Sequence, residues 1–221
     1  MAYKAVLFDM DGTLLDTLDD LWGAVNATMR RFGYPERTRD EVRQFVGNGV
    51  TRLLELALPG GASDPRFDEA IAAYRAYYAS HSEEKTGPYP GVSSLVARLT
   101  EEGIACAVVS NKPDVTTKLL ARKFFPEIAV AAGENEAAGI RRKPAPDMVF
   151  AAVRELGVSL SDCVYVGDSE VDLYTGRAAG MDVVSVLWGF RDRDLLEREG
   201  AERFAGTPEE LYRLVVSPKV G

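Results

Sequence analysis

The sequence predicts an α/β protein: a doubly wound parallel sheet with helices on both faces, interrupted after its first strand by a purely helical insertion. Three observations predict it. From about residue 90 onward, strand-length apolar runs alternate with helix-period stretches. A lone apolar run near the start, Lys4-Ala5-Val6-Leu7-Phe8, has no second strand close behind it. Between them, residues from about 16 to 85 carry helical periodicity only.

The first run ends at Asp9. In the insertion Leu18, Leu21, Val25 and Met29 recur at three- and four-residue spacing. Val42, Phe45 and Val46 do likewise, then Val50, Leu53, Leu54 and Ala57, then Phe67, Ile71, Tyr74 and Tyr78. Breakers at Gly33-Tyr34-Pro35, Gly47-Asn48-Gly49 and Pro59-Gly60-Gly61 divide the stretch into four helices. Beyond Gly87-Pro88-Tyr89-Pro90-Gly91 the expected order is helix 92–102, strand 104–109, helix 115–124, strand 128–132, helix 146–156, strand 163–166, helix 171–179, strand 182–187 and helix 208–216. Strands alternating with crossover helices indicate a parallel sheet, and the first strand must join it because four helices offer it no partner. The expected division is a Rossmann-like core of residues 1–15 and 86–221, with a helical cap domain of residues 16–85 inserted after the first strand.

The 221 residues, 46% hydrophobic and 27% charged, suffice to bury a core without metal or disulfide staples. No apolar run approaches the roughly 20 residues that span a bilayer. The opening Met1-Ala2-Tyr3-Lys4 runs straight into a strand and carboxylates, unlike a signal peptide, so no membrane partner and a cytoplasmic location are expected. Cys106 and Cys163 sit inside strand-like runs and read as reduced core residues. A net charge of −8 without a basic stripe argues against a nucleic-acid partner. The single histidine, His81, lies in the polar stretch Ser80-His81-Ser82-Glu83-Glu84. Ser-His-Asp and Cys-His catalysis are therefore disfavoured, and acid–base work falls to carboxylates or lysine.

In an open parallel sheet, ligands bind at the carboxyl ends of the strands. The strand ends here carry Asp9-Met10-Asp11-Gly12-Thr13, then Ser110-Asn111-Lys112, then Gly167-Asp168-Ser169-Glu170-Val171-Asp172, while Lys143-Pro144-Ala145-Pro146-Asp147 leads into a helix. Crowded carboxylates repel unless a cation sits among them, and oxygen-only ligands suit a hard ion such as Mg2+, which neutralises phosphate oxygens. One carboxylate of the Asp9/Asp11 pair can attack phosphorus, splitting a hydrolysis into two displacements. A second acid can protonate the leaving alkoxide and then deprotonate water. Gly12 leaves room for backbone amides to face a phosphate. Ser110 can donate a hydrogen bond, and Lys143 can supply a positive charge to a transferring group. Each stretch taken alone also reads as a turn, a cap or a solvated loop. Their shared place at one end of successive strands decides for a site.

These four stretches resemble the signatures of the haloacid dehalogenase superfamily of phosphatases, in order, over residues 9 to 172, and the helical insertion matches its cap. The resemblance implies that Asp9 is the nucleophile and a Mg2+ ligand. Asp11 becomes the general acid/base, with its backbone carbonyl also on the metal. It gives substrate binding to Gly12, Thr13, Ser110 and Asn111, and charge stabilisation to Lys143. Asp168 completes the metal site, and Asp172 supports it through water or hydrogen bonds. Family dehalogenases place a tyrosine where Asp11 stands, and phosphonate hydrolases an alanine, so Asp11 favours phosphate-ester chemistry through an aspartyl-phosphate.

In the insertion, Gly47-Asn48-Gly49-Val50 with Arg52 resembles the cap loop of bacterial phosphoglycolate phosphatases, as do Asp16-Thr17-Leu18 and Lys143-Pro144-Ala145-Pro146. Gly47, Asn48 and Gly49 can approach a small substrate, and Arg52 can pair with a second anionic group. The bland reading is a helix–helix turn with Arg52 solvated. The expected partner is thus a small phosphorylated metabolite, most simply phosphoglycolate. Alternatives are another small phosphate (a sugar phosphate, nucleotide or pyrophosphate) or a phosphomutase resembling β-phosphoglucomutase, which is disfavoured because the cap histidine expected near Asn48 is missing. Tyr74, Tyr77 and Tyr78 read as packing, with a dimer face as the alternative, which leaves monomer and homodimer both open. Arg141 and Arg142 read as a solvated loop or as anion-steering charges. Trp188 has no assigned role.

Overall fold

The computed structural model describes residues 2–217. The first strand, β1 (Ala5–Phe8), is apolar at every position because both of its faces are covered. A short strand β2 (Leu15–Asp16) precedes four helices: α1 (Leu18–Phe32), α2 (Arg39–Phe45), α3 (Gly49–Ala57) and α4 (Phe67–His81). After β3 (Gly87–Pro88) come α5 (Val92–Glu101), β4 (Ala105–Pro113), α6 (Asp114–Phe124), β5 (Val130–Glu134) and α7 (Asp147–Leu156). β6 (Cys163–Gly167), α8 (Glu170–Ala179), β7 (Asp182–Val186), α9 (Arg193–Arg198), β8 (Phe204–Ala205) and α10 (Pro208–Val216) complete the order. Two compact units result. One comprises residues up to Leu15 and those from Pro88 onward, and the other spans Asp16–Gly87.

The first unit is an α/β layer structure, as the alternation of strands and helices predicts. Its six-stranded sheet runs β5-β4-β1-β6-β7-β8, every pair parallel. Along β1, Val6 and Phe8 join a core built with α5, α6 and α10. Ala5 and Leu7 join a second core, on the other face, built with α7 and the end of α8. The two-residue alternation of a strand thus serves both faces. Beyond the expected five strands and their helices lie the paired two-residue strands β2 and β3, the helix α9, and the two-residue β8, which pairs Ser185 with Phe204 and Val186 with Ala205. β4 also runs four residues past the expected end at 109, and its register against β5 shifts between Val109 and Pro113. Such irregularities recur beside functional sites.

In the second unit, the apolar stripes of the helices are buried: Leu18, Leu21, Val25 and Met29 on α1, Val50, Leu53, Leu54 and Ala57 on α3, and Ala70, Tyr74 and Tyr78 on α4. The rings of Tyr74 and Tyr78 stack at 5.7 Å. A capping box starts α2, with Thr38 Oγ1 accepting from Glu41 N and Glu41 Oε2 accepting from Thr38 N. Asp20, buried in the first turn of α1, accepts hydrogen bonds from the Lys85 and Thr86 amides at 2.9–3.0 Å. His81 stacks on Tyr77, and its Nδ1 lies 2.8 Å from the Tyr77 carbonyl. Among the described residues, no helix is long and apolar enough to cross a membrane.

Candidate active site

The ends of three neighbouring strands in the middle of the sheet, β4, β1 and β6, carry the candidate side chains of the first unit, and the loop between β5 and α7 adds Lys143. Beyond β1 the chain folds into a tight turn in which the Thr13, Leu14 and Leu15 amides all point at the Met10 carbonyl. Asp9 precedes this turn and is buried. Its Oδ1 is 2.7 Å from Lys143 Nζ, and the same ammonium is 2.7 Å from Asp172 Oδ1. Asp168, at the end of β6, completes a group in which ligand oxygens of Asp9, Asp168 and Asp172 all lie within 4.8 Å of one another.

Electrostatics follows from this crowding. Burial first, then the charge of Asp172, lifts the Asp9 carboxyl from 3.8 to about 7, although Lys143 opposes the shift. Burial, then Asp172 and Asp9, lifts Asp168 well above its ordinary range, against a hydrogen bond from the Phe190 amide. Burial works against the Lys143 ammonium, but Asp172 and Asp9 outweigh it and hold the proton firmly. Three buried carboxylates facing one lysine leave negative charge in excess. An all-oxygen donor set with surplus charge fits a divalent cation.

The supporting contacts explain local sequence choices. Gly12 has φ +84°, and a Cβ there would stand 2.3 Å from Asp168 Oδ2, so glycine admits the Asp168 carboxylate. Gly189 is needed likewise: its Cβ would meet Asp168 Cβ and the Gly12 carbonyl at 2.3 Å. Asp168 Oδ2 accepts from the Phe190 amide at 2.6 Å, and Thr13 Oγ1 lies 3.4 Å from Asp168 Oδ1. Trp188 Nε1 donates to the Thr13 carbonyl at 2.9 Å, which gives that side chain a contact in the turn. Asp172 also closes the capping box of α8, its Oδ2 accepting from Ser169 N and Oγ at 3.1 and 2.6 Å. Tyr165 OH, inside the sheet, is 3.4 Å from Asp172 Oδ1.

At the end of β4, three consecutive residues turn to three tasks. Ser110 is buried, and its Oγ accepts from the Lys112 amide at 3.3 Å. Asn111 does not present its amide group outward: Oδ1 accepts from Lys143 N at 2.7 Å and Nδ2 donates to Lys143 O at 3.1 Å. Lys112 Nζ lies 2.9 Å from Asp11 Oδ1. The structure therefore brings together Asp9, Lys143, Asp168 and Asp172, with Asp11 held by Lys112, and Gly12 and Thr13 packed on Asp168. Gly47, Asn48, Gly49 and Arg52 belong to the second unit. Gly47 and Gly49 there take φ +122° and +79°, and Arg52 forms an ion pair with Glu55 at 2.8 Å. Arg141 pairs with Asp147 at 3.0 Å.

Sequence reasoning left Lys112, Tyr165, Ser169 and the 188–190 loop without roles. Lys112 had a signal, since it comes two residues after Ser110 in an extended segment. The loop after β7 also had one, because it too lies at a strand's carboxyl end. Tyr165 had none, being one more large residue in a buried strand.

A family model described as haloacid dehalogenase-like hydrolase matches residues 6–186. A protein of Xanthomonas campestris pv. campestris named phosphoglycolate phosphatase is 33% identical, over 98% of each chain. One of the same name from Neisseria meningitidis serogroup A is 30% identical, over 95% of this chain and 92% of its own. A crystal structure from Lactobacillus delbrueckii subsp. bulgaricus, described provisionally as a phosphoglycolate phosphatase, superposes with a TM-score of 0.91 at 36% identity, covering 99% of this chain and 100% of that one. A family match that runs from β1 to β7, and so spans every strand that feeds the carboxylate cluster, settles the affiliation: the chain belongs to the haloacid dehalogenase-like hydrolase family.

Proposed function

We propose that this chain, a phosphoric monoester hydrolase by family, is a Mg2+-dependent phosphatase that hydrolyses phosphoglycolate through an aspartyl-phosphate on Asp9. The observation that carries the reading is the buried Asp9 carboxylate at the end of β1, 2.7 Å from Lys143 and clustered with Asp168 and Asp172. Asp9 and Asp168, with the Asp11 carbonyl, would hold the cation, which supplies charge neutralisation to the phosphate oxygens and to the crowded carboxylates. In the first step an Asp9 oxygen bonds to phosphorus while the ester oxygen leaves with a proton from Asp11. In the second, Asp11 takes a proton from water, whose oxygen attacks phosphorus and frees Asp9 and inorganic phosphate. Lys143, 2.7 Å from Asp9 Oδ1, would neutralise charge on the phosphoryl group in flight. Ser110 and the backbone of Gly12 and Thr13 would bind that group, and Asn111 would serve them by fixing Lys143.

The substrate assignment rests on the relatives' names and on the glycine-flanked Asn48 loop with Arg52 in the helical unit, which we take as the cap that selects the second anionic group. The reading takes the enzyme as cytoplasmic, acting on a small metabolite, with neither nucleic acid nor membrane as partner. The test is phosphate release with Mg2+ across small phosphomonoesters. Phosphoglycolate is expected to lead by about 10-fold or more in kcat/KM, a difference worth about 1.4 kcal/mol. A flat profile would refute the substrate, and undiminished turnover by Asp9→Asn would refute the nucleophile.

A further inference from the structure

We propose that Lys112 is a positioning residue that sets the direction of the Asp11 carboxylate for proton transfer, an inference that rests on Asp11 being the general acid/base. Lys112 Nζ is 2.9 Å from Asp11 Oδ1, with the lysine side chain 2% exposed and the aspartate 14%. A lysine so deeply buried is costly unless a carboxylate compensates it, so the pair is a fixed contact, unlike a surface ion pair.

The arm that carries Lys112 is rigid. β4 continues to Pro113, through the irregular stretch after Val109, and the backbone at Lys112 is fixed on both sides. The Lys112 amide donates to Ser110 Oγ at 3.3 Å, and its carbonyl accepts from Thr117 Oγ1 at 3.2 Å. Asp11, by contrast, sits in a turn and on a torsion that is broad and roughly two-fold for a carboxylate. Anchoring Oδ1 on Lys112 restrains that torsion and with it the direction in which the carboxylate faces. The end of β4 then divides its work: Asn111 holds the backbone of Lys143, and Lys112 holds the carboxylate of Asp11. One rigid strand end sets the spacing between the charge on the phosphoryl group and the proton for the leaving oxygen.

The experiment compares Lys112→Met and Lys112→Gln, each alone and combined with Asp11→Asn, with thermal melts to certify folding. Substrates are phosphoglycolate, whose alkoxide needs a proton to leave, and p-nitrophenyl phosphate, whose phenolate does not. A positioning role lowers kcat for phosphoglycolate by about 10-fold or more, with KM little changed. It preserves the pre-steady-state burst of p-nitrophenolate, and it makes each double variant no slower than Asp11→Asn alone, because a misaimed acid cannot be lost twice. Should Lys112→Met fail to fold, the glutamine variant and the charge-balanced double variants carry the same comparison. A raised KM for phosphoglycolate at unchanged kcat would make Lys112 a substrate-binding group and overturn the proposal. So would a double variant slowed by the full product of the single losses. Normal turnover by Asp11→Asn would instead bring down the acid/base reading, and the positioning role with it.

Discussion

Asp9 and Asp168 are carboxyls that the folded chain holds partly against their charge, Asp9 at about 7, through burial and the neighbouring Asp172. Because the folded value of Asp9 exceeds its unfolded value of 3.8, the folded state binds more protons between these limits, and its contribution to stability falls as pH rises through that window. A cation needs the deprotonated form, so its affinity climbs over the same interval. The expected outcome is that Mg2+ raises the melting temperature more at pH 8 than at pH 5, compared with chelator. Equal gains at the two pH values would exclude this proton–metal exchange. Gly12 gives a second test at this scale. An alanine there must leave φ +84° or push Asp168 away, because its Cβ would stand 2.3 Å from Asp168 Oδ2, and an ångström of misplacement costs about 100-fold in rate. Gly12→Ala should therefore lose phosphatase activity by about that factor, with a melting temperature measured alongside to separate the site from the fold. Asp9, Asp168 and Lys143 were legible as strand-end or loop residues because the carboxyl edge of a parallel sheet is where such groups collect. The partner of Asp11 and the direction of the Asn111 amide were not, since spacing gives the side of a strand and not the atom a side chain meets.

Among the elements, the end of β4 has most to say. Read as sequence, a strand stopping at 109 looked complete, because the apolar run gives way to Ser110-Asn111-Lys112-Pro113. The chain nonetheless stays extended, and those polar residues make bonds within the site that replace what an apolar core would supply. β8 and α9 escaped for the opposite reason, being too short to show a period. The loop from 135 to 146, which delivers Lys143, is tied to β4 through the two Asn111 hydrogen bonds at 2.7 and 3.1 Å. Asn111→Ala leaves the Lys143 amide and carbonyl buried without these partners, at a cost of about 2 kcal/mol. A melting temperature lower by about 4–8 °C is expected for a chain of this size. Turnover should fall as well, since the loop no longer fixes the ammonium. Unchanged melting together with unchanged kcat would show that the tether is idle.

For the whole molecule, alternation of strand and helix gave the fold class, but strand order lay outside its reach: successive strands in a chain need not be neighbours in a sheet. Here β1 comes first in sequence and lies third in space, between β4 and β6, with Ala5 facing Ala105 on one side and Cys163 on the other. The two cores that alternate along β1 account for its unbroken apolar run, which sequence alone reads equally as any buried strand. This placement has a consequence for synthesis. The strand bearing Asp9 leaves the ribosome before either of its neighbours exists, while the helices between 18 and 81 can already close on their own stripes. A nascent chain that has reached Pro113 has gained Lys112 for Asp11, yet still lacks Lys143, Asp168 and Asp172. The carboxylate cluster proposed to hold a cation is therefore complete only once α8 has been made.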